Sequence, residues 1–246
     1  MIDPAGYDTW IFDLDNTLYS AECALFAQIH VRMREYIIDN LNVDARQAEH
    51  LQRSYYVKHG TTMNGLMHHH NIAPDHFLDY VHDIDVSALV PNQPLRLAID
   101  KLPGRKLIFT NGSVRHAENV TNAIGITDCF DGVFDIRAAD YVPKPHRAPY
   151  EKFITEFDIN PARAAMFEDM AQNLEIPHAL GMTTILIDSA ADWIANEPGD
   201  KKSGRGGIAA SSGDNEDHIH HITDDLPRFL ASILGHNTYN NTTSTP

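Results

Sequence analysis

The segment Tyr7–Thr17 has the sequence YDTWIFDLDNT. Its first six residues are mostly aromatic, apolar or β-branched, which predicts a short buried strand. Asp13 and Asp15 follow at the point where such a strand ends. Two carboxylates in this position are compatible with a simple loop or helix cap, and also with chemistry that needs a nucleophile and a proton carrier.

Three further segments have the same form, an apolar run followed by polar residues or glycine. Helical patterns lie between these runs, and strands that alternate with helices are typical of a parallel sheet covered on both faces. We therefore expect an α/β fold with a Rossmann-like core. The three runs are 106–109 before Thr110-Asn111-Gly112, 164–167 before Glu168-Asp169, and 183–187.

The segment 20–100 contains no convincing strand, and apolar residues recur at helical spacing near its start. We expect an all-helical cap inserted after the first strand. The Rossmann-like core is then predicted to comprise residues 1–19 and 101–235. A stretch rich in glycine, serine and charge predicts a flexible insertion at 197–217, and a disordered tail is expected at 236–246.

The composition restricts the partners of the protein. The chain has 246 residues, with 19 Lys or Arg and 34 Asp or Glu, for a formal charge of −15. Nucleic-acid binding relies on clustered basic residues, so we expect no nucleic-acid partner. We expect no membrane partner, because no apolar run approaches the ~18–20 residues of a membrane span. The first residues lack the features of a signal peptide, and Cys23 and Cys129 give no disulfide framework. A cytoplasmic monomer or homodimer is expected.

Residues from separate strand ends are expected to meet, because ligands bind outside the carboxyl ends of the strands in an open α/β sheet. Asp13 and Asp169 would supply carboxylates there, and Thr110-Asn111-Gly112 a hydroxyl and backbone amides. Lys144, on a loop between two prolines, would add a positive charge. Gathered carboxylates repel one another, and Mg²⁺, which prefers oxygen ligands, would relieve this repulsion.

At this point the sequence resembles the haloacid dehalogenase-like superfamily of phosphohydrolases. Each of its four motifs is weakly specific alone, but all four occur here in the expected order, over about residues 7–190. The resemblance implies a Rossmann-like core, Mg²⁺ as cofactor and a small-molecule phosphate ester as substrate. The motifs are FDLDNTLY at 12–19, FTNG at 109–112, VPKP at 142–145 and FEDM at 167–170 with Asn173.

The sequence is more narrowly similar to the pyrimidine 5′-nucleotidase branch, which implies hydrolysis of a nucleoside 5′-monophosphate such as UMP or CMP. Ser20 and Asn64 depart from that branch, where Pro and Arg are expected, and Asn64 bears on substrate preference. Two alternatives remain, a phosphatase for sugar phosphates or phosphoglycolate, and a catalytically idle binding protein with this fold. The stretches that carry the resemblance are 13–19, 56–67, 102–106, 138–145 and 164–170.

The resemblance also implies catalytic roles. Asp13 attacks phosphorus and forms an aspartyl-phosphate, while Asp15 protonates the leaving oxygen and later accepts a proton from the attacking water. The dehalogenase branch needs no second acid at this position, so Asp15 favours phosphoryl transfer over halide removal. Thr110, Asn111 and Gly112 bind phosphoryl oxygens, and Lys144 stabilises the charge on nucleophile and phosphate.

The resemblance further implies a metal site. Asp13, the backbone carbonyl of Asp15 and the Asp169 carboxylate would bind Mg²⁺, and Asn173 would orient the metal shell. Contacts to the rest of the substrate are less defined, and the candidates are Tyr19, Thr61, Thr62 and Met63. His68, His69 and His70 are consecutive on a predicted helix, where side chains point ~100° apart, so the three are not expected to bind one ion.

Overall fold

The computed structural model describes residues 2–188 and 217–235. Six parallel strands form one sheet within them. The strands are β1 (Thr9–Phe12), β2 (Arg105–Phe109), β3 (Gly132–Phe134), β4 (Ala164–Glu168), β5 (Thr183–Ile187) and β6 (His221–Thr223). Their order across the sheet is β3-β2-β1-β4-β5-β6. The predicted α/β class and the Rossmann-like sheet are thereby confirmed. The apolar pattern of the sequence did not predict β3, because this strand is only three residues long and begins with glycine.

Helices cover the sheet and form a separate layer before β2. The helices of the described residues are α1 (Leu25–Leu41), α2 (Ala45–His59), α3 (Thr62–His70), α4 (Pro74–Val81), α5 (Gln93–Asp100), α6 (Val114–Ile124), α7 (Arg147–Glu156), α8 (Glu175–Ala179) and α9 (Leu226–Gly235). The described residues contain no helix of the length and hydropathy that a membrane span requires.

The sheet is buried on both faces because successive strand residues point to opposite sides. Trp10 and Phe12 face a cluster that includes residues of α5, α6 and α9. Ile11 faces the opposite cluster, which includes residues of α7 and α8. This double burial explains why the strand sequences are almost continuously apolar rather than alternating.

Helices α1 to α4 share a third apolar cluster, distinct from the two beside the sheet. Helix α2 begins with a capping box, in which Asp44 and Gln47 exchange side-chain and backbone hydrogen bonds. It ends at Gly60, whose φ of +78° suits glycine. Ile136, from the loop after β3, belongs to the same cluster, so a core loop packs directly into the cap helices.

Two parts of the predicted organisation differ from the structure. Helix α5 falls within the predicted cap segment 20–100, yet its Leu95 and Ile99 pack in the cluster beside the sheet. The helical pattern at 171–180 predicts one helix, and the structure instead has a 3₁₀ turn followed by the short helix α8. The predicted tail at 236–246, and the predicted insertion at 197–217 up to residue 216, lie outside the described residues.

Candidate active site

The strand order brings the predicted motifs to one rim of the sheet. β1 lies between β2 and β4. Successive strands are added toward one edge of the sheet from β1 to β3 and toward the other edge from β4 to β6, and ligands bind at such a reversal in this class of fold. The backbone N–H of Asp13 donates to the carbonyl of Phe167 at 2.9 Å, which fixes the turn that leaves β1 against the end of β4. The N–H of Thr110 donates to the carbonyl of Phe134 at 3.0 Å.

Lys144 links the ends of three strands. Its ammonium nitrogen lies 2.7 Å from Asp13 Oδ1, 2.7 Å from Glu168 Oε2 and 2.9 Å from the carbonyl oxygen of Phe109. The Asn111 side chain holds the Lys144 backbone from both sides, accepting from its N–H at 2.9 Å and donating to its carbonyl at 3.3 Å. The lysine is therefore fixed in position before any substrate binds.

The carboxylates around Lys144 outnumber its single charge. Asp13, Glu168 and Asp169 each offer an oxygen within 4.8 Å of the other two, and all three residues are buried. Burial, followed by the charge of Glu168, raises the pKa of Asp13 to about 7, against the lowering effect of Lys144. Burial and the same neighbouring charges also raise the pKa of Asp169 well above its usual range. The three carboxylates carry more negative charge than Lys144 can neutralise, and a bound cation would supply the missing positive charge.

The donors available fit a hard divalent ion such as Mg²⁺, which takes oxygen ligands. The buried Oδ1 atom of Asn173 has no hydrogen-bond partner among the described residues, so it can accept one from a metal-bound water. Glu168 is less free to serve as a ligand, because it already accepts from Lys144 and, at 3.2 Å, from the backbone N–H of Met170. Its clearest role is to hold Lys144.

Asp15 has a different environment from Asp13. Its Oδ1 atom accepts from the Tyr19 hydroxyl at 2.7 Å and lies 2.8 Å from His116 Nε2. Burial alone would raise the pKa of Asp15. The charge of His116 and the two hydrogen bonds outweigh burial and lower that pKa below its usual range.

Two residues of this site were not among the sequence candidates. His116 is completely buried in the first turn of α6, three residues after its cap, Ser113. The only available signal was its position directly after the FTNG strand end, where the first helical turn faces the rim. Glu168 was recognised in a motif, but its contact with Lys144 joins positions 24 residues apart and has no local signature.

The structure separates the four candidates for substrate contact. Thr61, Thr62 and Met63 lie along the cavity that also contains Asp13. Tyr19 does not lie along this cavity. It is buried in the core, and its hydroxyl is bonded to Asp15.

The cap contributes most of the apolar surface of the cavity. No Lys or Arg occurs among the cap residues that line it, and His82, one of its two histidines, has its pKa lowered to about 3 by burial and by the charge of His116. The lining residues of the cap are Phe26, Ile29, His30, Met33, Gln52, Tyr56, Gly60, Thr61, Thr62, Met63, Phe77, Leu78, Val81 and His82.

The consecutive histidines of α3 lie away from this cavity. His69 Nε2 is 3.0 Å from Nε2 of His59 on the neighbouring helix, and His70 Nε2 is 2.6 Å from the Tyr55 hydroxyl. Each of these contacts ties α3 to α2. Among the described residues, the one group of three neighbouring metal-ligand side chains is Asp13, Glu168 and Asp169.

Known proteins resemble this chain in sequence and in fold. The sequence profile of the haloacid dehalogenase-like hydrolases matches residues 7–181. Phosphate metabolism protein 8 of Saccharomyces cerevisiae is 32% identical over 143 residues, which cover 53% of this chain and 44% of that protein. The chain therefore spans less than half the length of this yeast relative.

Two solved structures share the fold at 14% sequence identity. One is L-2-haloacid dehalogenase from Xanthobacter autotrophicus with covalently bound chloropropionic acid, with a TM-score of 0.56 over 93% of this chain and 99% of that one. The other is a HAD phosphatase from Thermococcus onnurineus, with a TM-score of 0.57 over 93% and 98%. At this identity the likeness shows the fold and leaves the reaction to be argued from the site.

Proposed function

The chain belongs to the haloacid dehalogenase-like hydrolase family, and we propose that it is a phosphatase that hydrolyses phosphate monoesters through Asp13. The observation that carries this proposal is the pairing of two carboxylates with unlike surroundings. Asp13 and Asp15 line one cavity. Lys144 contacts the first, and Tyr19 and His116 contact the second. The two carboxylates therefore have different partners, which suits Asp13 to attack and Asp15 to exchange protons.

The proposed reaction has two displacements. The Asp13 carboxylate attacks phosphorus, the ester P–O bond breaks, and the leaving oxygen takes a proton from Asp15. His116 and Tyr19 favour the ionised form of Asp15, so Asp15 has to take up a proton before this step. Water then attacks phosphorus of the aspartyl-phosphate, gives a proton to Asp15 and regenerates the Asp13 carboxylate. Lys144 and the Thr110–Gly112 segment stabilise the charge on the transferring group. An alkoxide leaving group needs a proton and a halide does not, so Asp15 supports ester hydrolysis rather than dehalogenation.

We propose Mg²⁺ as the cofactor, held by the carboxylates of Asp13 and Asp169 and by the backbone carbonyl of Asp15. The cation would neutralise negative charge on the bound phosphoryl group. The raised pKa values of Asp13 and Asp169 support this assignment, since they reflect a buried cluster with too little positive charge. Asn173, with its buried unpartnered oxygen, would orient a ligand of the ion.

The cap side of the cavity supports a nucleoside 5′-monophosphate as substrate. Its aromatic and aliphatic side chains suit a flat base, and Gln52, Thr61 and Thr62 offer hydrogen-bonding groups at its wall. Phosphoglycolate or a second phosphate would place an anion there, and no Lys or Arg is among the cap residues that line the cavity. A pyrimidine nucleotide such as UMP or CMP fits this description and the sequence resemblance.

A panel of esters assayed with and without Mg²⁺ tests the proposal. We expect UMP or CMP to be hydrolysed with a higher kcat/KM than phosphoglycolate, a hexose phosphate or p-nitrophenyl phosphate. If p-nitrophenyl phosphate matched the best nucleotide, the nucleotide assignment would be wrong. If no ester were turned over, the protein would instead be a binding protein that retains the fold.

The Asp13→Asn variant tests the nucleophile. We expect it to lose turnover and to yield no acid-stable phosphoprotein after quenching, because an amide cannot accept the phosphoryl group. Asp128→Asn is the matched control, since Asp128 forms an exposed ion pair with Arg96 away from the cavity. Full activity in Asp13→Asn would contradict the mechanism.

A further inference from the structure

The hydrogen bond between His116 and Asp15 affects how Asp15 can give a proton to the leaving oxygen and accept one from the attacking water. We propose that His116 is a positioning residue, which fixes one oxygen of Asp15 so that the other oxygen exchanges the proton with the leaving group and with water. This inference rests on the proposed phosphatase function.

The contacts of the Asp15 carboxylate are one-sided. Tyr19 and His116 both bond to Oδ1, at 2.7 and 2.8 Å. Among residues 2–188 and 217–235, none donates a hydrogen bond to Oδ2 of Asp15. Two donors on one oxygen restrict rotation of the carboxylate about its last bond. The oxygen left without a donor is the one available for proton transfer.

His116 is built to hold this position. Its side chain is fully buried on α6, so it lies behind Asp15 and not on the cavity wall. Its ring is stacked on the His82 ring, with centroids 4.5 Å apart and planes at 10°. His82 Nδ1 in turn lies 3.0 Å from the Ser113 hydroxyl. The imidazole is thus clamped between α6 and the end of the cap helix α4.

The other ring nitrogen of His116 argues against a purely apolar packing role. Nδ1 is buried and has no hydrogen-bond partner among the described residues, which costs free energy. An apolar side chain of similar size would avoid that cost. Among the described residues the ring makes one polar contact, from Nε2 to Asp15 Oδ1. Oδ1 accepts both in the carboxylate and in the acid that carries its proton on Oδ2, so Nε2 carries the hydrogen.

The contact matters because misplacing a catalytic group by about 1 Å can cost about 100-fold in rate. The proposal therefore predicts an effect on turnover that is larger than any effect on phosphate binding. We expect inorganic phosphate to bind beside Asp13 and Lys144, where it needs no proton from Asp15. Its inhibition constant reports whether the rest of the site is intact.

The test compares His116→Phe with His116→Gln. Phe keeps a ring against His82 but removes the donor, and Gln restores an N–H donor of similar reach. We expect kcat for the best ester of the panel to fall about 10-fold or more in His116→Phe, with the inhibition constant of phosphate within about twofold. His116→Gln should recover part of kcat. Val120→Ala, a packing change on the same helix, should keep kcat.

Three results would overturn the proposal. These are unchanged kcat in His116→Phe, an equal loss of kcat and phosphate binding, or no recovery in His116→Gln. If His116→Phe does not fold, His116→Leu and Tyr19→Phe decide the matter. Each variant removes one donor to Oδ1, and full kcat in both would refute positioning through that oxygen.

Failure of the proposed phosphatase mechanism would give a different pattern of results from failure of the role of His116. Asp15→Asn should lower kcat by at least as much as His116→Phe, because the positioning residue acts only through Asp15. If Asp15→Asn were fully active, the proton-transfer role of Asp15 would be wrong. If Asp15→Asn were inactive and His116→Phe fully active, only the role of His116 would be wrong.

Discussion

The ammonium nitrogen of Lys144 lies 2.7 Å from Oδ1 of Asp13, and only 1% and 10% of the two side chains are exposed. Burial by itself would lower the pKa of Lys144, but the charges of Asp13 and Glu168 outweigh it and raise that pKa above its usual range. The lysine is therefore charged at any pH at which the protein is studied. Its charge and the two carboxylates form one buried unit.

We predict that Lys144→Met removes both activity and stability. Turnover should fall by about 10²- to 10³-fold, which is the loss typical when one fixed hydrogen-bond donor to a transition state is removed. Unfolding free energy should fall by about 3–5 kcal/mol, because two buried carboxylates lose their partner. Urea unfolding and ester hydrolysis measure the two effects. Lys152→Met, which breaks an exposed pair with Asp140, is the control and should change little.

The raised pKa of Asp13 predicts how the metal-free protein responds to pH. The folded-state pKa of about 7 exceeds the ordinary value of 3.8, so the folded state binds the proton more tightly. Proton binding by Asp13 therefore contributes to folding stability. This contribution to stability is fully present below about pH 4 and is lost as pH rises through 7. Protons and Mg²⁺ compete for the same oxygens, so Mg²⁺ should raise the unfolding temperature more at about pH 8 than at about pH 5.

Thermal unfolding with and without Mg²⁺ at the two pH values measures this competition. Asp169→Asn is the matched variant, because it removes one carboxylate from the cluster while keeping its shape. It should lose most of the Mg²⁺ effect at the higher pH. An equal rise in unfolding temperature at both pH values would contradict proton competition at these carboxylates.

The motifs of the site could be predicted because each lies at the end of its own apolar strand. Asp13, Thr110 and Asp169 each follow a run that is recognisable from a few neighbouring residues. Parallel strands then bring the three ends to one rim regardless of their distance along the chain. The sheet order itself needed the structure, since adjacency of β1 to both β2 and β4 has no local signal.

Contacts between elements could not be read from the sequence in the same way. The bond between His116 and Asp15 joins positions 101 residues apart, and depends on how α6 is rotated against the rim. Tyr19 shows the same limit, because its place in a motif suggested a substrate contact while its hydroxyl is bonded to Asp15. Side-chain direction is set by packing, which a local pattern describes only in part.

We predict that Gly65→Ala destabilises the cap, although alanine favours helix over glycine by about 1 kcal/mol. A Cβ at position 65 would lie 2.2 Å from Cβ and Cγ of Tyr55 on the neighbouring helix. Such overpacking costs about 1–3 kcal/mol, so it outweighs the gain in propensity. Thermal unfolding should show a lower midpoint. Gly6→Ala, where nothing lies within 4 Å, is the control, and a stabilised Gly65→Ala would show that α2 and α3 can separate freely.

Arg137 connects the core to the cap, and we predict that it restrains cap motion. Its Nε donates to Asp75 Oδ1 at 2.6 Å, and Nη2 lies 3.5 Å from Asp79 Oδ1 on the same helix, α4. The pairs are partly exposed, so their effect on global stability should be small, about 0–1 kcal/mol. Cap opening requires these pairs to break while the rest of the fold stays intact. Arg137→Gln should therefore affect local opening more than global unfolding.

Hydrogen exchange measures that difference directly. In Arg137→Gln, amides of α4 should exchange faster, while those of β1 and β4 should keep their rates. The KM of the preferred ester should rise, because a cap that opens more often encloses the substrate for less of the time. Arg147→Gln is the matched control, since Arg147 pairs with Glu151 within α7. Unchanged exchange in α4 of Arg137→Gln would mean that the shared apolar cluster around Ile136 holds the cap without help from these charges.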